Sequence, residues 1–131
     1  FGDEPKPGAA QALAELHRGR KASHWIWFVF PQIAGLGSSP TARRYAISGL
    51  DEATAYVQHP ILGPRLVDAA QAMLATDARR AEAILGAIDA IKLRSSMTLF
   101  RRADPAEPVF GQVLDRFYGG RPDPATEELL A

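Results

Sequence analysis

The feature that most constrains the fold is an unbroken apolar run inside the segment SHWIWFVFPQ, residues 23–32. Residues 25–30 are all large and apolar, and they include both tryptophans of the chain. Exposing so much aromatic surface would promote aggregation, so the run is predicted to be an interior element. Its length and aromatic content favour a strand, whereas Ser23 as an N-cap and the lack of a second strand favour a helix. We predict a helix.

Composition excludes several classes of protein. The chain has 131 residues, with 15 Lys plus Arg, 15 Asp plus Glu and no cysteine. This length predicts a single globular domain over residues 1–131, with an irregular lead-in at 1–8. The zero net charge argues against a nucleic-acid-binding module. Without cysteine there is no disulfide or thiolate metal site, and no apolar run is long enough to cross a membrane. We expect a cytoplasmic protein without a cofactor.

Glycine and proline divide the rest of the sequence into short segments with helical periodicity. We predict an all-α fold, a compact single domain of about six to eight short helices. Ser39, Asp51, Asp77 and Asp89 are predicted to cap the helices that follow them. The predicted helices include residues 9–18, 51–58, 90–102, 106–118 and 124–130, with shorter ones at the aromatic run, after Pro40, after Pro60 or Pro64, and before Gly86.

The helix at 90–102 is predicted to carry polar groups at the edge of the core. At about 100° per residue, Leu93, Met97 and Phe100 share the core-facing side. The adjacent stripe holds Lys92, Ser95, Ser96 and Leu99, and the solvent side holds Arg94, Thr98 and Arg101. A lysine beside two hydroxyls could bind phosphate or carboxylate. Alternatively, Lys92 is a solvated boundary residue and the serines bond back to their own helix.

Other candidate ligand contacts lie in or just after the aromatic segment. His24 could shuttle a proton or contact a ligand, or it is a satisfied side chain at the core edge. Gln32 could offer its amide to a ligand or cap a helix. The loop at 35–39 has backbone donors for an anion, and Arg43 and Arg44 could clamp it, although a plain polar loop is the alternative. The histidines show no metal-ligand spacing, so no metal site is predicted.

Four segments resemble a known family, the bacterial domain of unknown function 1810, sometimes labelled calpastatin-like. They are SHWIWFVFPQIAGLGSSPTARRYAI, HPILGPRL, KLRSSMTLF and VLDRFYGGRPDPAT, and the resemblance runs from about Ala12 to Leu130. It implies a small, mostly helical domain and no established activity. Family members typically begin with an aromatic-x-x-Ala-Gln segment, which residues 1–10 do not match. The calpastatin label has no support here, because calpastatin is a disordered repeat protein and this chain has no repeats.

These observations lead to one main hypothesis and two alternatives. The main hypothesis is a pocket for a small anionic metabolite, such as a nucleotide or phosphorylated sugar. Its proposed lining is His24, Trp25, Trp27 and Gln32, facing Lys92, Ser95 and Ser96, with Arg43 or Arg44 at the mouth. Whether the domain is an enzyme is left open, with His24 or Lys92 as the candidate proton-transfer or charge-stabilising group. A non-catalytic interaction or regulatory module with an apolar surface patch is the alternative, and nucleic-acid binding is the least favoured.

Overall fold

The all-α prediction is confirmed. The computed structural model describes residues 9–37 and 39–131, so the predicted lead-in at 1–8 and Ser38 of the 35–39 loop lie outside the described residues. Within the described part no strand forms beyond one isolated bridge between Ile33 and Ile47. Its helices are α1 (Ala9–His17), α2 (Ile26–Val29), α3 (Pro40–Tyr45), α4 (Leu50–Gln58), α5 (Leu62–Leu74), α6 (Ala81–Leu85), α7 (Ala87–Ala103), α8 (Pro108–Tyr118) and α9 (Pro124–Leu130).

Several helix boundaries follow local signals in the sequence. Ser39 caps α3 by accepting a hydrogen bond from the Ala42 N–H, with Pro40 in the first helical position. Asp123 caps α9 in the same way, accepting from the Thr126 N–H ahead of Pro124. Gly119 ends α8 with a φ of 63°, a left-handed conformation that glycine adopts without a steric penalty. These boundaries match the predictions because the signal and its partner are only a few residues apart.

Four predicted caps are wrong. Ser23 does not cap α2, because its hydroxyl donates to the Glu15 carboxylate instead. Asp51 lies inside the first turn of α4, which is preceded by Gly49, and α6 is preceded by Arg80 rather than by Asp77. Asp89 lies inside the first turn of α7, whose N-cap is Gly86.

The aromatic run is a single helical turn, and only part of it is interior. Trp25, Ile26 and Phe30 are fully buried, whereas Trp27 and Phe28 are half-buried. The expectation that the whole run lies in the core is therefore wrong for its middle. A four-residue helix at the edge of the core turns different side chains inward and outward, and Trp27 faces a hollow described below.

Helix α7 forms the centre of the fold, packing against α4, α6, α8 and α9. Leu93, Met97 and Phe100 are fully buried as predicted, and the Phe100 ring lies 5.4 Å from that of Tyr56 and 5.9 Å from that of Phe110. Among the described residues, no helix combines the length and apolar character needed to cross a bilayer.

The prediction that Thr98 faces solvent is wrong, because the segment before α9 covers that side of α7. The Asp123 N–H donates to the Thr98 hydroxyl at 2.8 Å, and Thr98 is fully buried. Arg94 holds the same segment by donating to the carbonyls of Arg121 and Pro122. Local periodicity cannot reveal this coverage, since the covering residues are 25 to 28 positions away.

Candidate functional site

A buried carboxylate positions the loop that leads into the aromatic run. Glu15 is 1% exposed, and its Oε1 accepts from the N–H groups of Ala22 (2.6 Å) and Ser23 (2.9 Å) and from the Trp25 indole (2.9 Å). Its Oε2 accepts from the Ser23 hydroxyl at 2.7 Å. Burial alone would raise the pKa of Glu15, but these hydrogen bonds outweigh it and lower the pKa to about 2. Glu15 lies on α1 and was not among the residues predicted to form the site.

A second acidic residue joins two lysines beside the tryptophans. Asp89 Oδ2 lies 2.8 Å from Lys21 Nζ, and its Oδ1 lies 3.4 Å from Lys92 Nζ. The Lys21 ammonium lies 5.3 Å from the centre of the Trp25 ring, and the Lys92 ammonium lies 4.6 Å from that of Trp27. Both separations are within the range of a cation–π contact. Two positive charges thus share one carboxylate.

Lys92 and Trp27 lie on the wall of an open hollow of about 450 Å³, here called the α3–α7 hollow. One side is formed by α7 and the start of α9, and the other by α3 and the 32–37 loop. The bridge between Ile33 and Ile47 closes this loop, with the Ala34 N–H donating to the Ile47 carbonyl at 2.7 Å. The lining residues are Trp27, Gln32, Ile33, Ala34, Gly35, Leu36, Gly37, Ala42, Arg43, Tyr45, Ala46, Ile88, Ile91, Lys92, Ser95, Asp123 and Ala125.

Few of the polar side chains in this lining are free to bind a ligand. The Ser95 hydroxyl is already engaged, bonding the Ile91 carbonyl and Asp123 Oδ2. Asp123 Oδ2 also accepts two hydrogen bonds from Thr126. Among the described residues, the guanidinium of Arg43 and the side-chain amide of Gln32 have no hydrogen-bond or ion-pair partner.

The structure brings five of the nine predicted site residues to the hollow and leaves four elsewhere. The five that line it are Trp27, Gln32, Arg43, Lys92 and Ser95. The other four are not part of this lining: Trp25 is buried against Glu15, His24 and Arg44 are exposed, and Ser96 is fully buried. The Arg44 guanidinium lies 5.6 Å from the Tyr45 ring. Ser96 is the one buried hydroxyl of the described residues without a hydrogen-bond partner.

Two exposed isoleucines also line the hollow and were not among the predicted site residues. Ile88 is 71% exposed and Ile91 is 64% exposed, although both are in the central helix. With Lys92 and Ser95 they form one stripe on the amino-terminal half of α7, at the i, i+3, i+4 and i+7 spacing of a helix face. The stripe therefore combines two exposed apolar side chains with a lysine and a hydroxyl. Within the described residues, no three His, Asp or Glu side chains are arranged to hold a metal ion.

Comparison with known proteins agrees with the resemblance noted in the sequence. The family model for a protein of unknown function, DUF1810, matches residues 3–130. The chain belongs to the DUF1810 family. A solved structure, that of the conserved hypothetical protein Rv1873 from Mycobacterium tuberculosis, is 50% identical, and the match covers 95% of this chain and 89% of that one with a TM-score of 0.93. Among curated proteins, none matches the sequence.

The DUF1810 match includes every element that builds the hollow, from Trp27 on α2 to Ala125 on α9. The hollow is therefore made by the family's own domain and not by an added segment. A fold and family of this kind do not themselves define an activity, so the chemistry of the hollow must carry any functional argument.

Proposed function

We propose that this DUF1810 domain binds a small organic anion in the α3–α7 hollow. The observation that supports it best is the Lys92 ammonium, which lies 4.6 Å from the centre of the Trp27 ring within a mostly apolar lining. An ion beside apolar walls interacts with a counter-charge more strongly than it would in water. A ligand carboxylate or phosphate on Lys92 is the simplest partner for such a charge.

The balance of charge beside the hollow also favours an anion. Asp89 neutralises one of the two lysines that it contacts, and its separation from Lys92 is the longer, at 3.4 Å against 2.8 Å for Lys21. Lys92 thus keeps donors available for a ligand. Arg43, on the α3 side, adds a guanidinium that can bind two oxygens of one acid group at once.

The test is a thermal-shift screen followed by calorimetry, with nucleotides, phosphorylated sugars and organic carboxylates. Lys92→Met removes the charge while keeping much of the stem that covers Trp27, and Arg102→Met is the matched control. Arg102 forms a surface ion pair with Glu127 at 2.7 Å and does not line the hollow, so its loss also removes one cation and one ion pair.

We expect an anion that binds the wild type and the Arg102→Met variant but binds Lys92→Met roughly tenfold more weakly or worse, as for loss of a charged hydrogen bond. Failure of every anion to bind the folded wild type would refute the proposal. Equal affinity for the wild type and Lys92→Met would refute the role of Lys92.

The exposed pair Ile88 and Ile91 supports a second candidate, a non-catalytic interaction module. Two isoleucines exposed by 71% and 64% on consecutive turns form the kind of apolar patch that marks contact sites. If they mediate self-association, sedimentation equilibrium will show an oligomer that Ile88→Ser with Ile91→Ser converts to monomer. A wild type that stays monomeric at high protein concentration would exclude self-association as the role of this patch.

A further inference from the structure

We infer that the ligand of the α3–α7 hollow is an amphipathic monoanion: a compact apolar body, such as an aryl group, that carries a single acid group. This inference rests on the proposed function and narrows it. It departs from the expectation of a nucleotide or phosphorylated sugar, since the net positive charge of the lining is too small for a polyphosphate and its free neutral hydrogen-bonding side chains are too few for a sugar.

The number of charges in and behind the lining matches one negative charge. The cations are Lys21, Lys92 and Arg43, and the carboxylates are Asp89 and Asp123. One positive charge is therefore left over when all five are counted. A polyphosphate carries several negative charges and would leave most of them uncompensated beside apolar walls, which is costly.

Free neutral hydrogen-bonding side chains in the lining are also too few for a sugar. Among the described lining side chains, the neutral group that is free is the side-chain amide of Gln32, whereas the donors of Arg43 and Lys92 are cationic and suit an acid group. The Ser95 hydroxyl and Asp123 Oδ2 are already occupied by each other and by Ile91 and Thr126. Tyr45 also has a partner already. Each ribose or hexose hydroxyl that leaves water needs a partner, and an unpaired one lowers affinity.

The apolar part of the lining, in contrast, is extensive. Trp27 and Ile33 contribute from the α2 side, Leu36 from the loop, and Ile88 and Ile91 from α7. The last two remain 71% and 64% exposed, so they gain from burial only when something apolar covers them. A volume of about 450 Å³ falls in the range of sites for small organic molecules. An aryl body that covers the two isoleucines while its acid group contacts Lys92 would match both the apolar lining and the lysine charge.

The decisive experiment compares four compounds by calorimetry on the intact chain: 2-naphthoate, its neutral amide 2-naphthamide, adenosine monophosphate and benzene-1,3,5-tricarboxylate. The first pair shares the naphthyl body and compares a charged carboxylate with a neutral amide of similar shape, and the other two test a polar body and a multiple charge. We expect 2-naphthoate to bind most tightly and 2-naphthamide to bind roughly tenfold more weakly.

Two pairs of variants locate the site. Ile91→Asn removes apolar contact without changing charge, and should weaken 2-naphthoate by roughly fivefold, the effect of losing an apolar contact of one to two methylene groups. Its control, Ile61→Asn, alters an isoleucine that is 41% exposed and does not line the hollow, and should have no effect. Arg43→Met should weaken 2-naphthoate, whereas Arg44→Met, next to it but outside the lining, should not.

The outcomes separate this inference from the proposed function. Tighter binding of adenosine monophosphate or of the tricarboxylate, still dependent on Lys92, would overturn the inference and leave the proposed function standing. Equal binding of 2-naphthoate and 2-naphthamide would overturn both, because neither allows for an uncharged ligand. Equal effects of Ile91→Asn and Ile61→Asn would also overturn the inference, since the apolar body would then lie elsewhere.

Discussion

Replacing Glu15 with glutamine tests whether one buried carboxylate stabilises the fold through its charge. Four donors converge on this group, at 2.6 to 2.9 Å, and they hold its pKa at about 2 against an ordinary value of 4.5. One pKa unit corresponds to about 1.4 kcal/mol. The depression therefore contributes about 3 kcal/mol to the free energy of unfolding when the carboxylate is ionised in both states.

The sign of the pH dependence follows from the direction of this shift. Because the folded-state pKa is the lower one, the contribution is complete above the unfolded pKa near 4.5 and is lost as the pH falls towards 2. Glutamine resembles the protonated acid, since it is neutral and keeps one carbonyl oxygen as an acceptor. We therefore expect Glu15→Gln to be less stable than the wild type by about 3 kcal/mol near pH 7. Near pH 3.5 the difference in the free energy of unfolding should be smaller by about 1.4 kcal/mol, because part of the charge contribution is lost by then.

The assay is urea denaturation followed by far-ultraviolet circular dichroism, which does not depend on the environment of Trp25. Glu128→Gln is the control, because Glu128 is an exposed carboxylate on α9. It should follow the wild type at both pH values. A difference between Glu15→Gln and the wild type that stays constant from pH 7 to pH 3.5 would refute the reasoning, since the loss would then come from shape and not from charge.

Two further substitutions test other buried polar groups. Ser96→Ala should be neutral or should stabilise the fold by up to about 1 kcal/mol, because the Ser96 hydroxyl is buried without a hydrogen-bond partner among the described residues. Urea titration measures the free energy of unfolding, and a decrease of more than about 1 kcal/mol would contradict this expectation. Asp123→Ala should destabilise by about 1 to 2 kcal/mol, as for loss of an N-cap, because Asp123 Oδ2 accepts from Ser95 and from both the N–H and the hydroxyl of Thr126. Hydrogen exchange should quicken selectively in α9, and a uniform change across the chain would count against the cap.

The candidate site was only partly predictable. Lys92 and Ser95 share a stripe that helical spacing reveals, and Trp27, Gln32 and Arg43 lie in one continuous segment closed by the Ile33–Ile47 bridge. The sequence could not distinguish the two tryptophans, of which only Trp27 lines the hollow, nor could it reveal that Glu15 binds the Trp25 indole. Those facts depend on how a four-residue helix is rotated against its neighbours.

The amino-acid sequence by itself determined the helical class, the amphipathic helix α8 and the caps of α3 and α9. These features depend on side chains and backbone groups within about one helical turn of each other, so their energetics are local. Only the tertiary structure decided that Glu15 would hold the Ala22–Trp25 loop, that Asp89 would bind two lysines instead of capping a helix, and that Ile88 and Ile91 would stay uncovered. Burial and charge pairing depend on which distant segments meet, and residue spacing along one chain does not carry that information.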